Sequence, residues 1–140
     1  MSRVDFYQLP DAGNPEHFTC DLAGKIHRQQ LELYILADSR EHADKLDELM
    51  WTFNDISFLP HSMIDANGAD KQSITIGWDN LPAKSKEVLI NLSSGIPEMA
   101  NDFERVVEIV APLEADKQQA RDRYKQYQQN GYELHYHDLK

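Results

Sequence analysis

The sequence contains a single cysteine, Cys20, among its 140 residues. One cysteine cannot form an internal disulfide, and it cannot supply a metal site built from several thiolates. No local motif offers the base that a nucleophilic thiol requires. We therefore interpret Cys20 as a small residue of the core.

Positive charge is scarce, because 14 Lys and Arg residues face 24 Asp and Glu residues and leave a formal net charge of -10. Contacts with nucleic-acid phosphates depend on Lys and Arg, and the overall negative field would oppose the approach of a polyanion. We expect any contact with DNA to be indirect.

Long apolar runs are also absent. No stretch approaches the roughly 20 apolar residues of a membrane-spanning helix, and the first residues lack the apolar segment of a signal peptide. These absences predict a cytoplasmic protein that does not bind membranes. The length and a hydrophobic content of 41% predict one globular domain over residues 1–140.

Strand and helix patterns alternate along the chain. The expected strands lie at 4–9, 31–37, 73–78, 87–92, 106–110 and 132–137, and the expected helices at 15–30, 39–52, 96–103 and 113–129. Residues 62–72 suggest a polar loop. This order predicts an α/β fold, a three-layer sandwich with a mostly parallel, Rossmann-like sheet whose last strand lies at an edge. The phosphate-binding loops G-x-G-x-x-G and G-x-x-x-x-G-K-[ST] are both missing, so no nucleotide cofactor is expected.

The last helix carries a cationic stripe. At about 100° per residue, Lys117, Arg121, Tyr124 and Gln128 share one face, with Lys125 on its flank. A positive patch on an anionic protein suggests a small anionic target such as a carboxylate-bearing peptide or a phosphate. The alternative is a solvated helix face that forms ion pairs with neighbouring aspartates. The residues alone leave both interpretations open.

Histidines provide an alternative, catalytic hypothesis. His135 and His137 lie two apart on a strand, so their rings share a face with Glu133, as a metal pair would require. His61, after Pro60, could act as a base. A polar edge strand and a hydrogen-bonded loop histidine explain the same residues. We expect no catalytic residue and no metal site, and retain a small α/β enzyme using His61 or the His135/His137 pair as the alternative.

Six stretches resemble the chi subunits of bacterial DNA polymerase III. They are LDELMW at 46–51, SFLPH at 57–61, ITIGW at 74–78, LINL at 89–92, VVEIV at 106–110 and ARDRYKQY at 120–127. They occur in family order over nearly the whole chain, and the Phe-x-Pro-His and Arg-x-Arg-Tyr-Lys elements are the most specific.

The resemblance implies a non-catalytic accessory subunit of a DNA-directed DNA polymerase, without a cofactor. In that family, chi pairs with the psi subunit of the clamp loader and also holds the acidic C-terminal tail of single-stranded DNA-binding protein. The expected role is a replisome adaptor in DNA replication, monomeric alone and heterodimeric with psi.

The resemblance also assigns the tail site. It implies that Lys117 and Arg121 bind the tail's carboxylates, that Tyr124 and Val110 line an apolar pocket, and that Lys125 adds long-range attraction. The family often has another basic residue at the position of Gln128, which cannot pair with an acid. This difference bears on how tightly the tail would bind.

A second surface is assigned to psi. The resemblance implies that it includes Trp51 and Phe58, with Leu59 and Pro60 beside them. Exposed aromatic residues in an irregular segment are typical of a protein interface. Alternatively, both rings cover the end of the sheet.

Overall fold

The computed structural model describes residues 3–52, 61–63, 74–78, 87–93, 95–97, 100 and 103–139, with the backbone alone for 51–52 and 61–63. Its elements, in chain order, are β1 (Arg3–Gln8), α1 (Pro15–Arg28), β2 (Leu33–Leu36), α2 (Arg40–Thr52), β3 (His61–Met63), β4 (Ile74–Gly77), β5 (Val88–Asn91), β6 (Arg105–Val110), α3 (Glu114–Gln129) and β7 (Glu133–Asp138).

The seven strands form one sheet in the order β3-β4-β2-β5-β6-β1-β7. All six pairings are parallel, and β1 lies between β6 and β7. Alternate residues of β2 enter opposite cores. Leu33 and Ile35 pack with residues of α1 and α2, whereas Tyr34 and Leu36 pack with residues of α3. The predicted three-layer α/β architecture with a Rossmann-like sheet is confirmed, and β7 is the expected edge strand.

Local signals explain the limits of α1. The Oδ1 atom of Asn14 accepts a hydrogen bond of 3.0 Å from the His17 amide, and Pro15 occupies the first turn. The helix ends two residues earlier than expected because Gln30 adopts a φ of 62°. Its left-handed conformation lets the Leu31 amide bond to the Ile26 carbonyl, 3.4 Å away, and closes the helix.

One expectation for the connecting segments is wrong in part, and another lies partly outside the described residues. Ser62 and Met63 belong to β3 rather than to a polar loop, and this three-residue strand is too short to show a period of two in the sequence. At 96–103, where a short helix is expected, residues 98–99 and 101–102 lie outside the described residues. The Ala100 amide bonds to the Pro97 carbonyl and the Phe103 amide to the Ala100 carbonyl, the bond pattern of a 3₁₀ helix.

Cys20 is buried in α1, as expected, with 1% of its surface exposed. Burial raises the pKa of its thiol to about 11, so the group stays protonated at neutral pH. Among the described segments, none of the helices has the length and apolar character needed to cross a bilayer.

A buried carboxylate joins the three strands at the β7 edge. Asp5 is fully buried, and its oxygens accept hydrogen bonds from Arg3, from Arg105 Nε at 2.7 Å and from His137 Nε2 at 2.9 Å. Arg105 also donates to the Tyr7 hydroxyl at 2.6 Å, and the His137 ring stacks on Tyr7 with centroids 4.7 Å apart. One side chain of β1 is therefore bonded to both neighbouring strands.

This network predicts a loss of stability in acid. Burial alone would raise the pKa of Asp5, but hydrogen bonds from Arg3, His137 and Arg105 together lower it from 3.8 to about 2. A lowered pKa stabilises the fold above the unfolded value, so roughly 2 kcal/mol should be lost as pH falls from about 4 to about 2. Denaturant unfolding between those pH values should show this slope in the wild type and a smaller slope in Asp5→Asn. Equal slopes would contradict the assignment.

Candidate binding groove

A second buried carboxylate orients α3 on the sheet. Glu108 of β6 is 1% exposed and faces α3. Its Oε1 accepts a hydrogen bond from Arg123 Nε at 3.0 Å, and its Oε2 accepts from the Tyr127 hydroxyl and from Asn91 Nδ2, each at 2.7 Å. Arg123 and Tyr127 are one helical turn apart, so both side chains reach the same carboxylate.

The electrostatics of this cluster follow from its burial. Desolvation raises the pKa of Glu108, while Arg123, Asn91 and Tyr127 oppose that rise by bonding to the ionised form. Burial and the adjacent Glu108 raise the pKa of Tyr127, so its hydroxyl remains a donor. Because an unpaired buried charge is costly, the cluster defines which face of α3 meets the sheet.

The adjoining stripe of α3 borders a groove of about 490 Å³ between the helix and strands β1 and β7. The groove combines cationic, amide and aromatic side chains. It is lined by Gln8, Lys117, Gln118, Ala120, Arg121, Tyr124, Lys125 and Tyr136.

Aromatic rings form the sheet side of the groove. Phe6 is fully buried beneath it and contacts the two tyrosine rings that line the groove, Tyr124 at 5.4 Å between centroids and Tyr136 at 6.2 Å in a stacked arrangement. The Tyr136 hydroxyl donates a hydrogen bond to Gln8 Oε1. The groove therefore has an apolar wall at the point where β7 lies beside β1.

The cations along the helix side are available to a ligand. Arg121 is 58% exposed, bonds to Gln118 Oε1 at 3.2 Å and lies 3.8 Å from Glu114, which is itself 80% exposed. An ion pair this exposed contributes little and is readily exchanged for another carboxylate. Within the described part of the chain, Lys117 and Lys125 form no ion pair.

The structure brings together four of the five residues predicted for the tail site, because Lys117, Arg121, Tyr124 and Lys125 all line the groove. Val110 does not line it. It is 1% exposed and packs in the core beneath α3, since the last position of β6 points inward.

Four lining residues were missed by sequence reasoning: Gln118 and Ala120 of α3, and Gln8 and Tyr136 of the sheet. Gln8 and Tyr136 come from strands at opposite ends of the chain. The one signal in the sequence is that Tyr136 lies two residues after Leu134 on the same strand. Their side chains therefore share a face of the sheet, and Leu134 packs on the core.

The residues predicted to face psi are largely outside the described ranges. Phe58, Leu59 and Pro60 lie outside them, and Trp51 belongs to the last turn of α2 with its side chain outside the description.

The histidines of the alternative hypothesis are engaged with single carboxylates. His135 Nε2 lies 3.1 Å from Glu133, and His137 contacts Asp5. The described residues contain no group of three side chains able to hold a metal ion. The side chain of His61 lies outside the described ranges.

A smaller cavity, of about 260 Å³, lies at the carboxyl ends of the central strands, where Rossmann-like folds bind ligands. Its lining includes Glu16, Asp38 and Asp116, while Arg123, which also lines it, is paired with Glu108. This balance of charge disfavours a phosphate.

Fold and groove together define the class of protein. It is a doubly wound α/β domain whose exposed groove, between α3 and the sheet edge, places cations next to aromatic rings. A family model described as "DNA polymerase III chi subunit, HolC" matches residues 1–135. The chain belongs to this family, and the membership implies a role in DNA replication.

Individual relatives agree with the family match. The chain is 33% identical to DNA polymerase III subunit chi of Pseudomonas aeruginosa, over 99% of this chain and 98% of that protein. It is 31% identical to subunit chi of Haemophilus influenzae, over 85% and 83% of the two chains. The subunit chi of Escherichia coli K12 is 29% identical over 85% and 82%.

Two arginines of α3 provide a matched test of the hydrogen-bonded cluster around Glu108. Arg123→Ala should destabilise the fold by about 3 kcal/mol, because it leaves Glu108 buried without its cation. Arg121→Ala, two residues away and exposed, should change stability by no more than about 0.5 kcal/mol. Denaturant unfolding measures both. Adding Glu108→Gln should reduce the cost of Arg123→Ala, and equal effects of the two arginine substitutions would disprove the orientation described for α3.

Proposed function

We propose that this chain is a non-catalytic replisome adaptor that links the clamp loader to DNA coated by single-stranded DNA-binding protein. One face binds the psi subunit, and the groove beside α3 holds the acidic C-terminal tail of the binding protein. The adaptor works in the cytoplasm, contacts nucleic acid only through that protein, and is monomeric until it meets psi.

The groove is the observation that carries the proposal. A tail that is acidic and ends in an apolar residue with a free carboxylate requires fixed cations beside an apolar wall. Lys117, Arg121 and Lys125 supply the cations, and Tyr124 supplies part of the wall. This combination stands out because the whole chain has a net charge of -10.

Such a contact suits tethering better than tight binding. Arg121 and Lys125 are exposed and Lys117 is half-buried, so each tail is expected to dissociate readily. Where the binding protein presents several tails, local concentration and avidity would compensate for a weak single contact. Gln128 is exposed near the end of α3, outside the groove lining, and adds no cation to it.

The first test is a calorimetric titration with a synthetic peptide of the binding-protein tail. Arg121→Ala should weaken binding roughly tenfold, because a hydrogen bond to a charged group is lost. Lys25→Ala, an equal change of charge at an exposed position on α1, is the matched control and should bind as the wild type does. Absence of binding by the wild type would contradict the proposal, and equal losses in both variants would leave only a general effect of net charge.

The psi surface should be separable from the groove. Trp51→Ala combined with Phe58→Ala should abolish co-purification with psi, because apolar anchors dominate such interfaces, while tail binding is retained. Arg121→Ala should show the reverse pattern. If the Trp51 and Phe58 substitutions leave psi binding intact, the assigned psi surface is wrong.

A further inference from the structure

We propose that Tyr136, held in place by Gln8, is the side chain that selects the apolar terminal residue of the tail. This inference rests on the proposed function, because it assigns a specificity determinant to the same groove. The apolar pocket is then formed between Tyr124 and Tyr136, and Val110 has no direct part in it.

The rings of Tyr124 and Tyr136 both pack on Phe6. Tyr136 is 49% exposed although it stacks on the fully buried Phe6, and Tyr124 contacts the same Phe6 ring at 5.4 Å between centroids. An apolar side chain entering the groove would cover the exposed part of Tyr136. Val110, at 1% exposure, has almost no surface left to offer a ligand.

Gln8 fixes the position of the ring. Its Oε1 accepts the hydrogen bond of the Tyr136 hydroxyl, and both side chains line the groove. Their strands are bonded in parallel register, with Phe6 opposite Tyr136 and Gln8 opposite Asp138. A ring held at both its face and its hydroxyl loses little freedom on binding, so the pocket is preorganised.

The chemistry of a C-terminus explains why this ring must adjoin a cation. The terminal carboxylate and the terminal side chain share one Cα atom, so their receptors must be neighbours. Arg121 and Tyr136 line the same groove. Burial and Asp138 raise the pKa of Tyr136, and the positive charge of Arg121 opposes that rise, which is consistent with their proximity.

The test compares two acidic peptides that differ only in ending with phenylalanine or with alanine. The wild type should prefer the phenylalanine peptide by roughly tenfold, and Tyr136→Ala should lose most of that preference while its weaker binding of the alanine peptide is unchanged. His135→Ala, on the opposite face of the same strand, is the control and should keep the preference.

A double-mutant cycle tests the role of Gln8 without removing the ring. Tyr136→Phe and Gln8→Ala should each weaken binding of the phenylalanine peptide roughly threefold, and the double variant should lose no more than either one. Additive losses would show that the two residues act independently.

The outcomes distinguish the two proposals. If the wild type binds neither peptide, the proposed function fails. If the wild type binds and prefers phenylalanine, but Tyr136→Ala keeps that preference, the tail site stands and the role of Tyr136 is disproved. Thermal unfolding checks that each variant is folded, and if Tyr136→Ala is unfolded the cycle of Tyr136→Phe and Gln8→Ala decides the question.

Discussion

The ion pair between Glu108 and Arg123 determines which side of α3 faces the sheet and which side faces solvent. Glu108 is almost completely buried, and removing its cation would leave a charge that the interior solvates poorly. Arg123 must therefore point inward with Tyr127. Since α3 has 3.6 residues per turn, the rotation that satisfies Glu108 also turns Lys117, Arg121 and Lys125 toward the groove.

A second buried carboxylate, Asp5, has the corresponding role for the strand side of the groove. Asp5 lies on the opposite face of the sheet from Glu108 and bonds to Arg105 of β6 and His137 of β7. The strand it holds is the one that carries Tyr136. The helix wall and the strand wall of the groove thus each depend on one buried acid, and neither acid lines the groove itself.

Apolar periodicity was sufficient to predict most elements and the sheet type, and helical spacing alone placed Lys117, Arg121 and Tyr124 on one stripe. It could not predict that Arg123 turns inward to pair with Glu108. Glu108 is a lone acid in the run VVEIV, and the sequence pattern is the same whether its side chain is buried with a partner or solvated. Tyr136 and Gln8 come together only through the parallel register of β1 and β7. The inward position of Val110 depends on how α3 lies over β6, which is tertiary information.

Tail binding is proposed at a cationic groove within an anionic molecule, and such a site has a measurable electrostatic signature. A titration of the wild-type protein with the acidic tail peptide at low and at high salt tests this most directly. The account predicts that affinity falls clearly as salt rises, because exposed cations such as Arg121 and Lys125 are screened. An affinity that is the same at both salt concentrations would contradict it.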